Sequence, residues 1–438
     1  MSKSSPAPSQ IWIALPFFLF GFLHFAAGLL WLACNPTTLT GHFYQPHVIA
    51  FAHVIGLGFL MSLVAGSSYQ LLPVAFENPL FSRTLAKIHL ALHLPGVPLM
   101  VYGFYHWRMP ALAVGGTAVL LGLVLYVLNI TCTAVRPLRR TPTSIGVLGC
   151  LGSLTVALGV AACILSSKLG FVAVREPLLL LGAHTYLMLA GFFLLILAAV
   201  SYTLLPMFLL VPLTSARRAY GSVQYFLAAI ALFIPGQLAF SQLLPFAALA
   251  AALGLGFYAI ENLALIRRSP RRLDGALRLY AHNLVFLLPV AIGFIFRGLQ
   301  LAGHAPALAL NLDTPLFTFA VFGTLACAIL GMGAKIVPFL VWQHRYAPLL
   351  GRARVPKLAD LVYGRLLNIL AWSVPAAALA LAVGSAIQSD FVVRIGAFVF
   401  CASMAGFVIN LFKSLSHLWR SAAQPLPTPA ARPASLST

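Results

Sequence analysis

The sequence is short of charge. Only 8% of its 438 residues are Asp, Glu, Lys or Arg, and seven are acidic. A soluble chain carries about a quarter of its residues charged, so this one lacks the polar groups to cover a water-facing surface. Its six cysteines include no CxxC pair, which leaves no basis for a disulfide framework or a thiolate zinc site. No HExxH motif occurs. Short segments of alternating apolar and polar residues, the mark of a transmembrane barrel, are also missing. Of the acidic residues, Glu261 alone falls within an apolar run, near its end, so no file of carboxylates crosses the bilayer.

What the chain has in excess is apolar length. It is 61% hydrophobic, with a mean hydropathy of +0.97. Apolar runs recur from Ile11 to Leu411, and a membrane-spanning helix needs about 20 such residues. The pattern predicts an all-α polytopic membrane protein of about twelve transmembrane helices. Residues 1–10 form a short polar lead, 11–412 the bundle, and 421–438 a low-complexity tail predicted to be disordered.

The net charge of +20 sits in clusters between the runs: Arg136, Arg139 and Arg140; Arg217 and Arg218; Arg267, Arg268, Arg271 and Arg272; Arg345, Arg352, Arg354 and Lys357. Clusters in alternate loops are the positive-inside signature. They predict cytoplasmic termini and an integral protein of a bacterial inner membrane, with the lipid bilayer as its partner and no nucleic acid.

An internal repeat organises the runs. Ser68-Tyr69-Gln70-Leu71-Leu72-Pro73 returns as Ser201-Tyr202-Thr203-Leu204-Leu205-Pro206, and a third run ends Lys335-Ile336-Val337-Pro338. The prolines are 133 (206 − 73) and 132 (338 − 206) residues apart. Gly58-Phe59 matches Gly191-Phe192, with Gly323 in the third copy, and Pro79, Leu80 and Ser82 match Pro212, Leu213 and Ser215. Fixed-period similarity decides architecture. It predicts three pseudo-repeats of four helices, over about 11–133, 144–266 and 279–412.

Twelve helices in three four-helix arcs resemble subunit I of the haem–copper oxidase superfamily. The resemblance implies histidine ligands to haem b or copper on spans 2, 6, 7 and 10, in the outer half. Ala52-His53 on span 2 is similar to the family's helix-2 pattern, and His184 on span 6 stands as the counterpart of a copper ligand. Span 7 (219–241) and span 10 (314–341) contain no histidine. The ligands of the oxygen-reducing centre are therefore missing. The chain reads as a degenerate relative, like the NnrS-type membrane proteins associated with nitric oxide metabolism, and not as a complete oxidase. That reading implies respiratory or electron-transfer membrane proteins as partners. A cofactor-free transporter, channel or interaction subunit on the same scaffold is the alternative.

Depth along a helix follows from about 1.5 Å per residue, which puts His53 and His184 roughly 10 Å, and His24 roughly 14 Å, below the outer face. An ionisable group inside a span is a functional-site hypothesis by default. His53, His184 and His24 are therefore the expected cofactor ligands, converging from three helices. His47, His53 and His184 are the expected set for a copper ion. His89 and His93 share one helix face at i, i+4, where packing or headgroup contact is expected. Tyr69 and Tyr202 are expected as interfacial anchors beside helix-ending prolines.

Overall fold

The computed structural model describes residues 10–136, 139–270, 272–305, 313–420 and 423–425. Among these, twelve helices are long and apolar enough to cross a membrane: α1 (Ile11–Cys34), α2 (Pro46–Ala75), α3 (Arg83–Tyr105), α4 (Met109–Ala134), α5 (Pro142–Lys168), α6 (Pro177–Leu209), α7 (Ala216–Leu238), α8 (Ser241–Arg268), α9 (Gly275–Leu301), α10 (Asp313–Arg345), α11 (Gly364–Ala386) and α12 (Asp390–Ser416). The expected all-α class and span number are observed. Apart from Gln424 and Pro425, which pair with Ala353 and Arg354 in a two-residue bridge, nearly all of the expected disordered tail lies outside the described residues, as does almost all of 1–10.

Successive helices pack side by side in a ring, and α12 returns to α1. Three helices stand apart by burial. The apolar windows of α2, α6 and α10 are 67, 78 and 72% buried, against 28–50% for the other nine. The outer nine therefore enclose these three. Close approach is carried by small residues, which let helix backbones touch in a lipid-solvated bundle. A Cβ on Gly115 would stand 2.4 Å from the Met100 amide, and one on Gly103 would stand 2.5 Å from that of Leu112, so α3 and α4 meet backbone to backbone.

Each central helix carries a π-helical stretch, with its backbone bonds stepped one residue wider than in an α-helix. The stretches are Val54–Met61, Leu187–Leu194 and Phe319–Leu325. Their starts are 133 (187 − 54) and 132 (319 − 187) residues apart, the spacing of the prolines. The matched glycines lie within them, and each admits a side chain from a neighbouring outer helix. A Cβ on Gly58 would meet His24 Cδ2 at 2.5 Å, one on Gly191 would meet Ser153 Oγ at 2.0 Å, and one on Gly323 would meet Phe286 Cγ at 2.4 Å.

A second recurrence lies near the basic-loop end. Asn129 Oδ1 on α4 accepts from the Ser82 amide at 3.0 Å, Glu261 Oε1 on α8 from the Thr214 amide at 2.7 Å, and Asn410 Oδ1 on α12 from the Tyr363 amide at 2.7 Å. All three pairs are 47 residues apart in sequence. A side-chain acceptor thus fixes the turn before α3, α7 and α11 to the helix that follows each. The matched serines explain themselves here: Ser82 and Ser215 cap α3 and α7, accepting from the amides of Leu85 and Arg218. Glu261 is fully buried and also pairs with Arg218 at 2.8 Å. It is a structural tether, satisfied on both oxygens.

Candidate functional site

His53 is the last α-helical residue of α2 before its π-helical stretch, and His184 stands three residues before that of α6. The two imidazoles lie within electrostatic reach of each other. Both are half-buried, and both are oriented from behind. His53 Nδ1 donates to the Ile49 carbonyl at 2.7 Å, and His184 Nδ1 donates to the Ala157 carbonyl at 3.2 Å. A carbonyl accepts only, so each ring is held with Nε2 as its lone-pair nitrogen. That is the tautomer in which histidine ligates a metal, its other nitrogen fixed by a backbone carbonyl. Phe104 stacks on the His53 ring at 4.6 Å between centroids and fixes its plane.

His24 does not join them. Its Nδ1 donates to the Phe20 carbonyl at 2.9 Å, its ring lies in the notch left by Gly58, and its electrostatic neighbour is His93. His47 is half-buried, six residues before His53 on the same helix. Among the described residues no group of three or more His, Cys, Asp or Glu side chains is placed to hold a metal ion. The three expected ligands are thus not gathered into one metal-holding group among the described residues. The physical reason is rotation about the helix axis: depth does not fix facing, and α1 presents His24 to the notch at Gly58.

Deeper in the same region, His89 and His93 on α3 are fully buried, so of the two expected settings they take packing and not headgroup contact. Tyr69 is also fully buried and Tyr202 nearly so, which overturns the expectation of interfacial anchors. Tyr69 Oη bonds His89 Nδ1 at 2.9 Å, and Ser62 Oγ bonds His93 Nε2 at 2.9 Å. The imidazoles stand edge to face, 5.3 Å between centroids, with Phe17 against both. Each keeps one buried nitrogen without a hydrogen-bond partner, Nε2 of His89 and Nδ1 of His93. A buried polar atom left unpaired costs about 1–3 kcal/mol, and Tyr202 Oη on α6 is left in the same way.

A third feature lies between the central helices, in the half nearer the basic loops. A cavity of about 100 Å³ is bounded mainly by apolar side chains of α2, α6 and α10, with Ser67, Ser68, Thr143 and Thr203 as its hydroxyl groups.

No protein-family profile matches the sequence, and no curated protein matches it. The chemistry of the side chains is therefore the guide to function.

Proposed function

We propose that this integral membrane protein binds haem or copper through His53 and His184, is related to haem–copper oxidase subunit I, and is not a complete oxidase. The observation that carries the reading is the orientation of the two rings: imidazoles on two central helices, each held by a main-chain carbonyl with Nε2 as the lone-pair nitrogen. A two-imidazole donor set suits a haem iron, whose macrocycle supplies the other four nitrogens. It suits a copper ion less well, because no third protein donor accompanies the pair among the described residues. His53 and His184 would hold the group in the half opposite the basic loops. When bound, it would supply one-electron chemistry or capture of a small ligand such as nitric oxide, fitting a role in respiratory maturation or a nitric oxide response. The absence of histidine from 219–241 and 314–341 supports a single site and argues against an oxygen-reducing centre.

The test is haem and copper content of detergent-purified protein, wild type against His53→Ala and His184→Ala. Stoichiometric cofactor in the wild type, lost from both variants while size-exclusion profiles stay unchanged, is the expected result. Equal cofactor content in all three proteins would remove the site. The central cavity favours a second reading, a cofactor-free carrier or binding subunit for a small apolar molecule. A folded protein without metal would leave that reading standing.

A further inference from the structure

The cavity between α2, α6 and α10 follows the spacing of the matched prolines. Val64, Leu197 and Ile329 line one level of it, and Leu71, Leu204 and Ile336 another. Each set is 133 and 132 residues apart (197 − 64 and 329 − 197; 204 − 71 and 336 − 204). Protein interiors leave few voids larger than a water molecule, and this one lies where matched faces of three helices meet. All three members of the Val64 set are only half-buried, although their helices stand inside the ring, so the area they expose faces the cavity. The room comes from two small side chains. Ser67 stands at the position of Val200 and Met332, and Ala328 at that of Leu63 and Ile196; all six line the cavity. A large side chain at either place would fill it.

The lining selects the occupant. Three of its four hydroxyls already bond within the protein. Ser68 Oγ meets Tyr126 Oη at 2.9 Å, and Thr143 Oγ1 donates to the Ala199 carbonyl at 2.9 Å and accepts from Thr203 Oγ1 at 2.8 Å. A buried water takes about three hydrogen bonds, and the rest of the wall is apolar. An apolar cavity of about 150 Å³ stays dry and takes up benzene or xenon. At about 100 Å³ this one suits something smaller. We infer that the space between α2, α6 and α10 is a binding site for a small uncharged apolar molecule, a dissolved gas or a hydrocarbon of a few carbons, and that Ser67 and Ala328 set the size it accepts. As a function this rests on the cofactor-free reading, to which it gives a ligand class and the residues that select it; as a site it stands on the cavity alone.

The test is diffraction from xenon-pressurised crystals of the detergent-purified full chain, wild type beside Ser67→Leu and Ala328→Leu, with metal analysis of the same samples. The expected result is xenon between α2, α6 and α10 in the wild type, lost from both filled variants while xenon on the lipid-facing surface is unchanged. Val200→Ala widens the level of Ser67 and keeps the central xenon, which separates filling from general damage. A wild type without xenon at this place would overturn the inference, as would undiminished xenon there in Ser67→Leu. Haem or copper in these samples would remove the cofactor-free reading and leave the site. A metal-free protein that takes up no xenon would remove the site and leave that reading.

Discussion

At matched positions of α2 and α6, Tyr69 and Tyr202 head two buried polar clusters that end differently. Around α8 and α9 the other groups close on themselves, and Tyr202 Oη alone of that cluster is left without a partner. Tyr258 Oη meets Tyr280 Oη at 2.9 Å and bonds Asn283 Oδ1 at 3.1 Å, and Tyr280 Oη donates to Asn262 Oδ1 at 2.8 Å. Both asparagine amides turn back to main-chain carbonyls. Around α3 the imidazoles leave two nitrogens unpartnered. Position 89 is a histidine where the matched position 222 is a serine, bonded to the Gly254 carbonyl. A satisfied network rigidifies a core, whereas an unsatisfied one costs stability and is retained for another reason.

That contrast can be broken at four places. The largest effect is expected at the α8 tether. Glu261→Ala leaves Arg218 and two amides without their acceptor and should cost about 3–5 kcal/mol, read from denaturation of detergent-solubilised protein. Asn129→Ala, the uncharged counterpart, should cost about 1–3 kcal/mol in the same assay. Next is the closed cluster: the double variant Tyr258→Phe, Tyr280→Phe strips the donors from Asn262 and Asn283 and should lose about 2 kcal/mol or more. Its α2–α3 counterpart, Tyr69→Phe with His89→Leu, removes both members of one bond and should be nearly neutral. A double variant at Tyr69 and His89 that matches the loss at Tyr258 and Tyr280 would end the distinction.

Gly58→Ala pushes a methyl group into His24 and should cost about 1–3 kcal/mol as an overpacked contact. Fluorescence-monitored melting of this variant beside Gly191→Ala tests whether both notches are equally tight. The smallest effect belongs to Lys335, which matches Gln70 and Thr203 in the third run, one residue after the position of Tyr69 and Tyr202. It pairs with Asp274 in a partly exposed setting, so Lys335→Met should change stability by less than about 1 kcal/mol.

The sequence made the spans legible because lipid demands long apolar runs, and their observed ends fall close to those runs. The matched prolines, glycines and serines were legible too, and the structure gives the serines and glycines work: caps at Ser82 and Ser215, side-chain notches at Gly58, Gly191 and Gly323. The π-helical stretches were not legible. Apolar residues such as Val54–Met61 satisfy either backbone spacing, and nothing in their composition marks the wider turn. Depth put His53, His184 and His24 forward together, yet depth carries no facing, and the seat of His24 against Gly58 could not be read from it. Tyr69, His89 and His93 were set near an interface because a basic loop is close in sequence. Their burial follows from α2 standing inside the ring, which no single span reveals.

The most direct measurement is the absorption spectrum of the purified full-length protein, oxidised and then reduced with dithionite, with metal analysis on the same sample from haem-replete cells. The account predicts a Soret band at one haem per chain that sharpens and shifts on reduction, or stoichiometric copper in its place. A well-folded sample with neither haem nor copper would contradict it.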